Sequence, residues 1–174
     1  YITPHVIIEK IISLAKEHFH GLNDKVIWDM FAGIGCDGLR LSVHSGKVIC
    51  TEIKEETYSD LVKNTEKFGV NVEIHQTDCC EKAKDIRCNV IYFDPPWGNT
   101  FKSGEDFDFS EVILNDGTPV LDLLTQVSSK YDMLIIKSPI SSTSFERALS
   151  EYHDNMLIFT FTQQKLKFLL INKI

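Results

Sequence analysis

The chain has 174 residues, 43% of them hydrophobic and 25% charged, with a net charge of −7. That length suffices for one domain with its own core and not for two, and no apolar run reaches the roughly 20 residues of a membrane helix. The acidic balance excludes a broad electrostatic grip on nucleic acid, because neutralising many phosphates takes a basic surface; contact with one nucleotide, or a basic partner or extension, stays compatible.

The start of the chain lacks the charged opening of a secretory signal, and opening on Tyr1 instead of methionine fits a trimmed domain. Ile7, Ile8, Ile11, Ile12, Leu14 and Ala15 recur at helical spacing and predict a leading helix within residues 1–20. Lys25 to Asp29 reads as a strand, followed by a glycine loop and a helix around Gly38 to Val43. Strands are predicted at Lys47 to Glu52, Asn71 to His75, Asn89 to Asp94 and Met133 to Lys137, with helices at Glu55 to Phe68, Pro119 to Lys130 and Ser144 to Tyr152. Gly98 to Asp116, acidic, aromatic and polar, reads as a long loop. Met156 to Thr162 and Leu166 to Ile171 are two strands with only a short link, which implies an antiparallel hairpin. Alternating helix and strand implies an α/β fold: a mostly parallel seven-stranded sheet with a C-terminal antiparallel hairpin, forming one domain over 1–174 with its core in 21–174. Cys36, Cys50, Cys79, Cys80 and Cys88 follow no disulfide framework and no metal-ligand spacing, so free thiols in a reducing, intracellular compartment and no metal are expected.

Acids fall at the ends of four predicted strands: Asp29, Glu52, Asp78 and Asp94. In such sheets the carboxyl ends of the strands line the ligand crevice. After Asp29 come Phe31, Gly33 and Gly35, and the two glycines permit a tight turn and close backbone approach. Glu52, followed by Ile53, stands about twenty residues on, where an acid accepts hydrogen bonds from ribose hydroxyls. Gly33, Gly35 and Gly38 also satisfy the dinucleotide pattern GxGxxG. Asp29 tilts away from a dinucleotide: it would repel a pyrophosphate and help to hold a cationic amino group. S-adenosylmethionine (SAM) carries an ammonium and a sulfonium and no phosphate. Asp78 would meet the adenine amino group, and the Cys79 amide is available to the ring.

Asp94-Pro95-Pro96-Trp97 follows the apolar run Asn89 to Phe93. Each proline fixes φ and removes a donor, so the carbonyls of this stiff turn are free to accept. A carboxylate at Asp94, the Pro95 carbonyl and a flat face at Trp97 suit a heterocycle bearing an exocyclic amine, held by stacking worth roughly 1–3 kcal/mol per base. Gly98 and the polar loop after it favour an exposed lip for Trp97. The tetrapeptide resembles the catalytic motif of SAM-dependent amino-methyltransferases. The cofactor glycines precede it, the reverse of the messenger-RNA adenine enzymes, and the turn lacks the cysteine nucleophile of a cytosine C5 enzyme. Lys137, at the end of the fifth predicted strand, would face the same crevice and meet a phosphate.

Taken together, the chain resembles the trimethylguanosine synthase family, Rossmann-like class I SAM-dependent enzymes that methylate guanine N2 of a 7-methylguanosine RNA cap. Thr3-Pro4 is similar to that family's segment before the first helix, and Asp29 to Gly35 to its cofactor loop. Thr51-Glu52-Ile53 stands at its ribose acid, and Asp94-Pro95-Pro96-Trp97-Gly98 resembles its Ser-Pro-Pro-Trp-Gly. Phe107-Asp108 and Lys165-Leu166-Lys167 resemble later steps. The resemblance implies SAM held by Asp29, Phe31, Gly33, Gly35, Glu52, Ile53, Asp78 and Cys79, catalysis at Asp94, Pro95 and Trp97, and RNA with a capped 5′ end as partner. Asp94 in place of serine and Asn99 in place of a second glycine are departures; an acid here is commoner in adenine N6 and ribosomal guanine N2 methyltransferases. Those enzymes are the first alternative, and a non-catalytic methyltransferase-like scaffold is the second.

Overall fold

The computed structural model describes residues 2–18, 20–98, 107–128 and 131–172. Tyr1, Asn99, residues 99–106 of the expected long loop and the end of the helix expected to reach Lys130 lie outside them.

Helix α1 (His5–His18) begins directly after Pro4, whose carbonyl accepts from Ile7 N (2.9 Å) and Ile8 N (3.2 Å). Its apolar stripe Ile7, Ile8, Ile11, Ile12 and Ala15 is buried, as the periodicity predicts. Then follow β1 (Val26–Asp29), α2 (Cys36–Ser42), β2 (Lys47–Glu52), α3 (Glu55–Phe68), β3 (Val72–Gln76), a short α4 (Cys79–Lys82) and β4 (Val90–Phe93). A 3₁₀ turn at Phe109–Glu111 precedes α5 (Val120–Ser128), β5 (Met133–Pro139) and α6 (Ser144–Ala148). The chain ends on β6 (Met156–Phe161) and β7 (Leu166–Asn172). The short α4 forms where the sequence predicts no helix; its local signal is Asp78, a good N-cap. The helix expected over Ser144 to Tyr152 breaks after Ala148 into a 3₁₀ segment, Ser150–Asn155.

The seven strands form one sheet in the order β3-β2-β1-β4-β5-β7-β6. The first five are parallel, and β7 runs antiparallel to both β5 and β6. Strands β4 and β5 are buried at every position, as expected of parallel strands covered on both faces. From β1 the order runs outward one way to β2 and β3 and the other way to β4 and β5. Right-handed crossovers then place the connecting helices on opposite faces and open a crevice at the carboxyl ends of β1 and β4. No helix among the described residues is long and apolar enough to cross a membrane.

Candidate active site

Asp29 closes β1 and is 2% exposed. Its Oδ1 is buried without a hydrogen-bond partner among the described residues. Burial, and then the charges of Asp37 and Asp94, push its carboxyl well above the usual range. A carboxyl so placed is expensive to ionise unless a cation comes beside it. Helix α2 closes over it because residue 38 is glycine: a Cβ there would stand 2.8 Å from Asp29 Oδ2 and 2.8 Å from Cys50 Sγ.

The loop after Asp29 is fixed from three sides. Met30 N donates to Tyr92 O (3.2 Å), Ala32 N to Thr51 O (3.0 Å), and Asn64 on α3 donates through Nδ2 to Ile34 O (2.9 Å). Gly35 holds φ +90°, and a Cβ on it would meet Leu61 Cδ1 at 2.5 Å, so only glycine closes this turn. Glu52 grips the loop from β2: Oε2 accepts from Gly33 N (3.0 Å) and Oε1 from Lys54 N (2.8 Å). Ile53 beside it is 39% exposed. Phe31 packs edge-on against Phe93 with centroids 5.4 Å apart. Asp78 caps α4, its Oδ1 accepting from Cys80 N at 2.8 Å. Asp78, Cys79 and Cys80 bring their ligand-type atoms within 4.8 Å of one another. Burial pushes both thiols up, Cys80 to about 12.

Asp94 follows β4 and opens on the same cavity with 18% of its side chain exposed. Burial raises its carboxyl to about 6 against the lowering effect of the Lys137 ammonium. Here the structure corrects two expectations. Lys137 does not reach outward to a phosphate: it lies on β5 opposite Phe168 of β7, is wholly buried, and donates from Nζ to Asp94 Oδ2 at 2.7 Å. Trp97 is not an exposed lip but 8% exposed, with the Lys137 ammonium 5.8 Å from its ring centroid. A buried ammonium draws both the acid and the indole onto itself.

Sequence reasoning missed Asp37. In the chain it looks like an ordinary acid in the first turn of a helix, yet it is buried and takes hydrogen bonds from Thr3 Oγ1 and Tyr92 OH, both 2.7 Å. Its Oδ2 is 3.9 Å from Lys137 Nζ. Phe107 and Asp108 serve the framework. Phe107 packs edge-on to Phe109, which stacks on Phe145 at 4.2 Å. Asp108 accepts from Ser110 N (2.9 Å), Ser144 Oγ (2.7 Å) and Arg147 (3.1 Å), and the first of these leads in drawing its carboxyl down to about 2. Lys167 is buried on Glu146 and the Ser142 carbonyl, and Lys165 forms a left-handed turn at φ 55°.

One cavity of about 790 Å³ joins these parts. Asp29, Glu52 and Asp78 line it beside the glycine loop; Asp94, Pro95 and Trp97 line it across the sheet.

A family model described as RNA cap guanine-N2 methyltransferase matches residues 24–159. A tRNA (guanine(26)-N(2))-dimethyltransferase of Pyrobaculum aerophilum is 33% identical over 82 residues, 44% of this chain and 22% of that protein. A 23S rRNA (uracil(747)-C(5))-methyltransferase of Vibrio vulnificus is 26% identical over 96 residues, 53% of this chain and 25% of that protein. The aligned segments thus span about a quarter of these curated relatives. Among solved structures, the T. thermophilus 16S rRNA N2 G1207 methyltransferase in complex with AdoMet and guanosine superimposes with a TM-score of 0.73 at 17% identity, covering 100% of this chain and 44% of that one. An rRNA methylase from Streptococcus thermophilus gives 0.62 at 14% identity, covering 93% and 94%. These likenesses show the class I methyltransferase fold.

Proposed function

The chain belongs to the RNA cap guanine-N2 methyltransferase family, and on that premise we propose that it transfers a methyl group from SAM to the N2 amine of a guanine in RNA. One observation carries the reading: the acceptor turn Asp94-Pro95-Pro96-Trp97 and the acids Asp29, Glu52 and Asp78 line a single cavity. The residues present fit SAM. The unpartnered, buried Asp29 Oδ1 suits its ammonium. Each carboxylate oxygen of Glu52 has one lone pair left after its backbone bond, and two are what a ribose diol needs. The cap on α4 leaves Asp78 Oδ2 for the adenine amine. When bound, SAM supplies a methyl carbon on a sulfonium.

The protein's part is positioning and charge complementarity. An exocyclic guanine amine is a poor nucleophile because its lone pair is delocalised into the ring. Asp94 and the Pro95 carbonyl each accept one N–H, which localises the lone pair and aims it across the cavity. As the carbon–nitrogen bond forms, positive charge grows on nitrogen next to the Asp94 carboxylate. The proton that nitrogen then sheds passes to Asp94 and on to water. A carboxyl near pKa 6 is well placed for that exchange near neutrality.

Two settings of the guanine remain: an internal residue of folded RNA and a 7-methylguanosine cap. We favour the internal one. Trp97 is nearly covered and does not present a wide stacking platform, an acid stands where the cap enzymes use serine, and two of the similar proteins are named for tRNA and rRNA guanine N2. The cap reading keeps the support of the family's description and of Pro95-Pro96-Trp97-Gly98. The test is incubation with SAM and, in parallel, unmodified ribosomal RNA, unmodified transfer RNA and 7-methylguanosine-capped RNA, then nucleoside mass spectrometry. N2-methylguanosine from the uncapped RNAs is expected. Product from the capped RNA alone overturns the internal reading, and none from any RNA overturns the proposal.

A further inference from the structure

We propose that Lys137 is a positioning residue: its ammonium, set between the carboxylates of Asp94 and Asp37 and beneath the indole of Trp97, keeps Asp94 ionised and aimed, so that the guanine amine meets an acceptor and not a donor. This rests on Asp94 as the amine's acceptor.

Lys137 is wholly buried in a strand otherwise made of apolar residues, Ser138 and Pro139. An apolar residue of the same size would serve stability as well or better. What the lysine supplies is a fixed positive charge 2.7 Å from Asp94 Oδ2. Its other neighbour stands farther off: Asp37 Oδ2, which takes the Thr3 and Tyr92 hydroxyls, is 3.9 Å away. Among the described residues, the ionisable groups around Asp94 are Lys137 from β5, Asp37 from α2, Asp29 from β1 and Tyr92 from β4. Lys137 is the single cation among them. Without it, Asp94 would share a largely buried site with two other carboxyls and would take up a proton. A protonated Asp94 turns an O–H toward the N–H of the amine, and the lone pair is no longer aimed.

The experiment compares pH profiles of methyl transfer for wild type, Lys137→Met, Lys137→Arg and Asp37→Asn. Calorimetry with SAM and thermal melts establish that each variant is folded. Wild type is expected to lose activity as pH falls through about 6. In Lys137→Met that acid limb moves up by about one unit or more, a loss of about tenfold near pH 6 relative to its own plateau. Lys137→Arg keeps the wild-type limb, and Asp37→Asn, which removes a repelling anion, moves it down. A lower plateau with an unmoved limb in Lys137→Met means that the lysine only supports the fold, and overturns the proposal. A second readout needs no turnover. In a Trp28→Phe background the emission of Trp97 is followed against pH. The transition is expected to vanish in Asp94→Asn and to move up in Lys137→Met. If wild type methylates no RNA, the functional reading fails while this titration still decides the role of Lys137; a transition indifferent to Lys137 overturns it.

Discussion

Glu52 offers the most direct test of the cofactor half, because its hydrogen bonds can be counted. A carboxylate has about four acceptor sites. Two are used by Gly33 N at 3.0 Å and Lys54 N at 2.8 Å, one on each oxygen. That leaves one site on each oxygen, and on the proposed function these two take the ribose hydroxyls. Hydrogen bonds to a charged group contribute about 1.5–3 kcal/mol each. Glu52→Gln replaces one oxygen by a donor, so it loses one ribose bond and also sets an N–H against a backbone N–H. SAM affinity should fall by about 10- to 100-fold. Glu52→Ala loses both ribose bonds and the grip on Gly33, and should fall further and melt earlier. Calorimetry with SAM and with S-adenosylhomocysteine measures this; both carry the ribose, so both should weaken in parallel. SAM binding to Glu52→Ala within threefold of wild type, with an unchanged melting temperature, would refute the counting and remove Glu52 from the site.

Asp94→Asn should keep the fold, since its carbonyl can still accept from Lys137, and turnover should fall by about 10²–10³; Asp94→Ser should retain measurable transfer, and wild-type rates in both mean that Asp94 only caps the strand. Asp94→Ala should also lose up to about 3 kcal/mol in denaturant titrations, because it strands a buried ammonium. The folded-state pKa of Asp29 is raised, so its cost to stability is absent below its unfolded value and grows as pH rises toward the folded one. Asp29→Asn should therefore raise the melting temperature of the ligand-free protein at pH 7 by at least about 2 °C while abolishing SAM binding, and a lower melting temperature contradicts this. Gly38→Ala gains about 1 kcal/mol of helix propensity but sets a methyl 2.8 Å from both Asp29 Oδ2 and Cys50 Sγ; weaker SAM binding is expected, and unchanged binding would show that α2 can shift freely.

The strand-end acids were legible because a parallel sheet announces itself: apolar runs such as Val90 to Phe93 end at an acid or a glycine, and the fold puts those ends together. The terminal hairpin was legible from the short link between its strands. What the sequence did not reveal depends on which side chains meet across elements. Asp37, Tyr92 and Thr3 lie far apart along the chain, and nothing local marks them as one network. Trp97 read as exposed because its neighbours are polar and glycine-rich, but its ring is nearly covered and lies against the Lys137 ammonium. Lys137 read as facing the crevice toward a phosphate because it ends its strand, whereas in space β7 lies beside it and it is wholly buried on Asp94.

That placement also governs when the site comes into being as the chain folds. Strand β7 follows β6 in the chain, yet it lies between β5 and β6. Until it inserts, the flank of β5 that carries Lys137 is an open edge, since Lys137 pairs with Phe168 and Ser138 with Lys167. A chain with β1 to β5 paired and the whole Asp94-Pro95-Pro96-Trp97 turn in place would therefore still lack the strand that lies beside Lys137. Contacts of such long sequence separation form late and slowly, so the seating of Lys137 follows the pairing of the parallel strands, and β6, left at the sheet's margin, waits for the same strand to be captured.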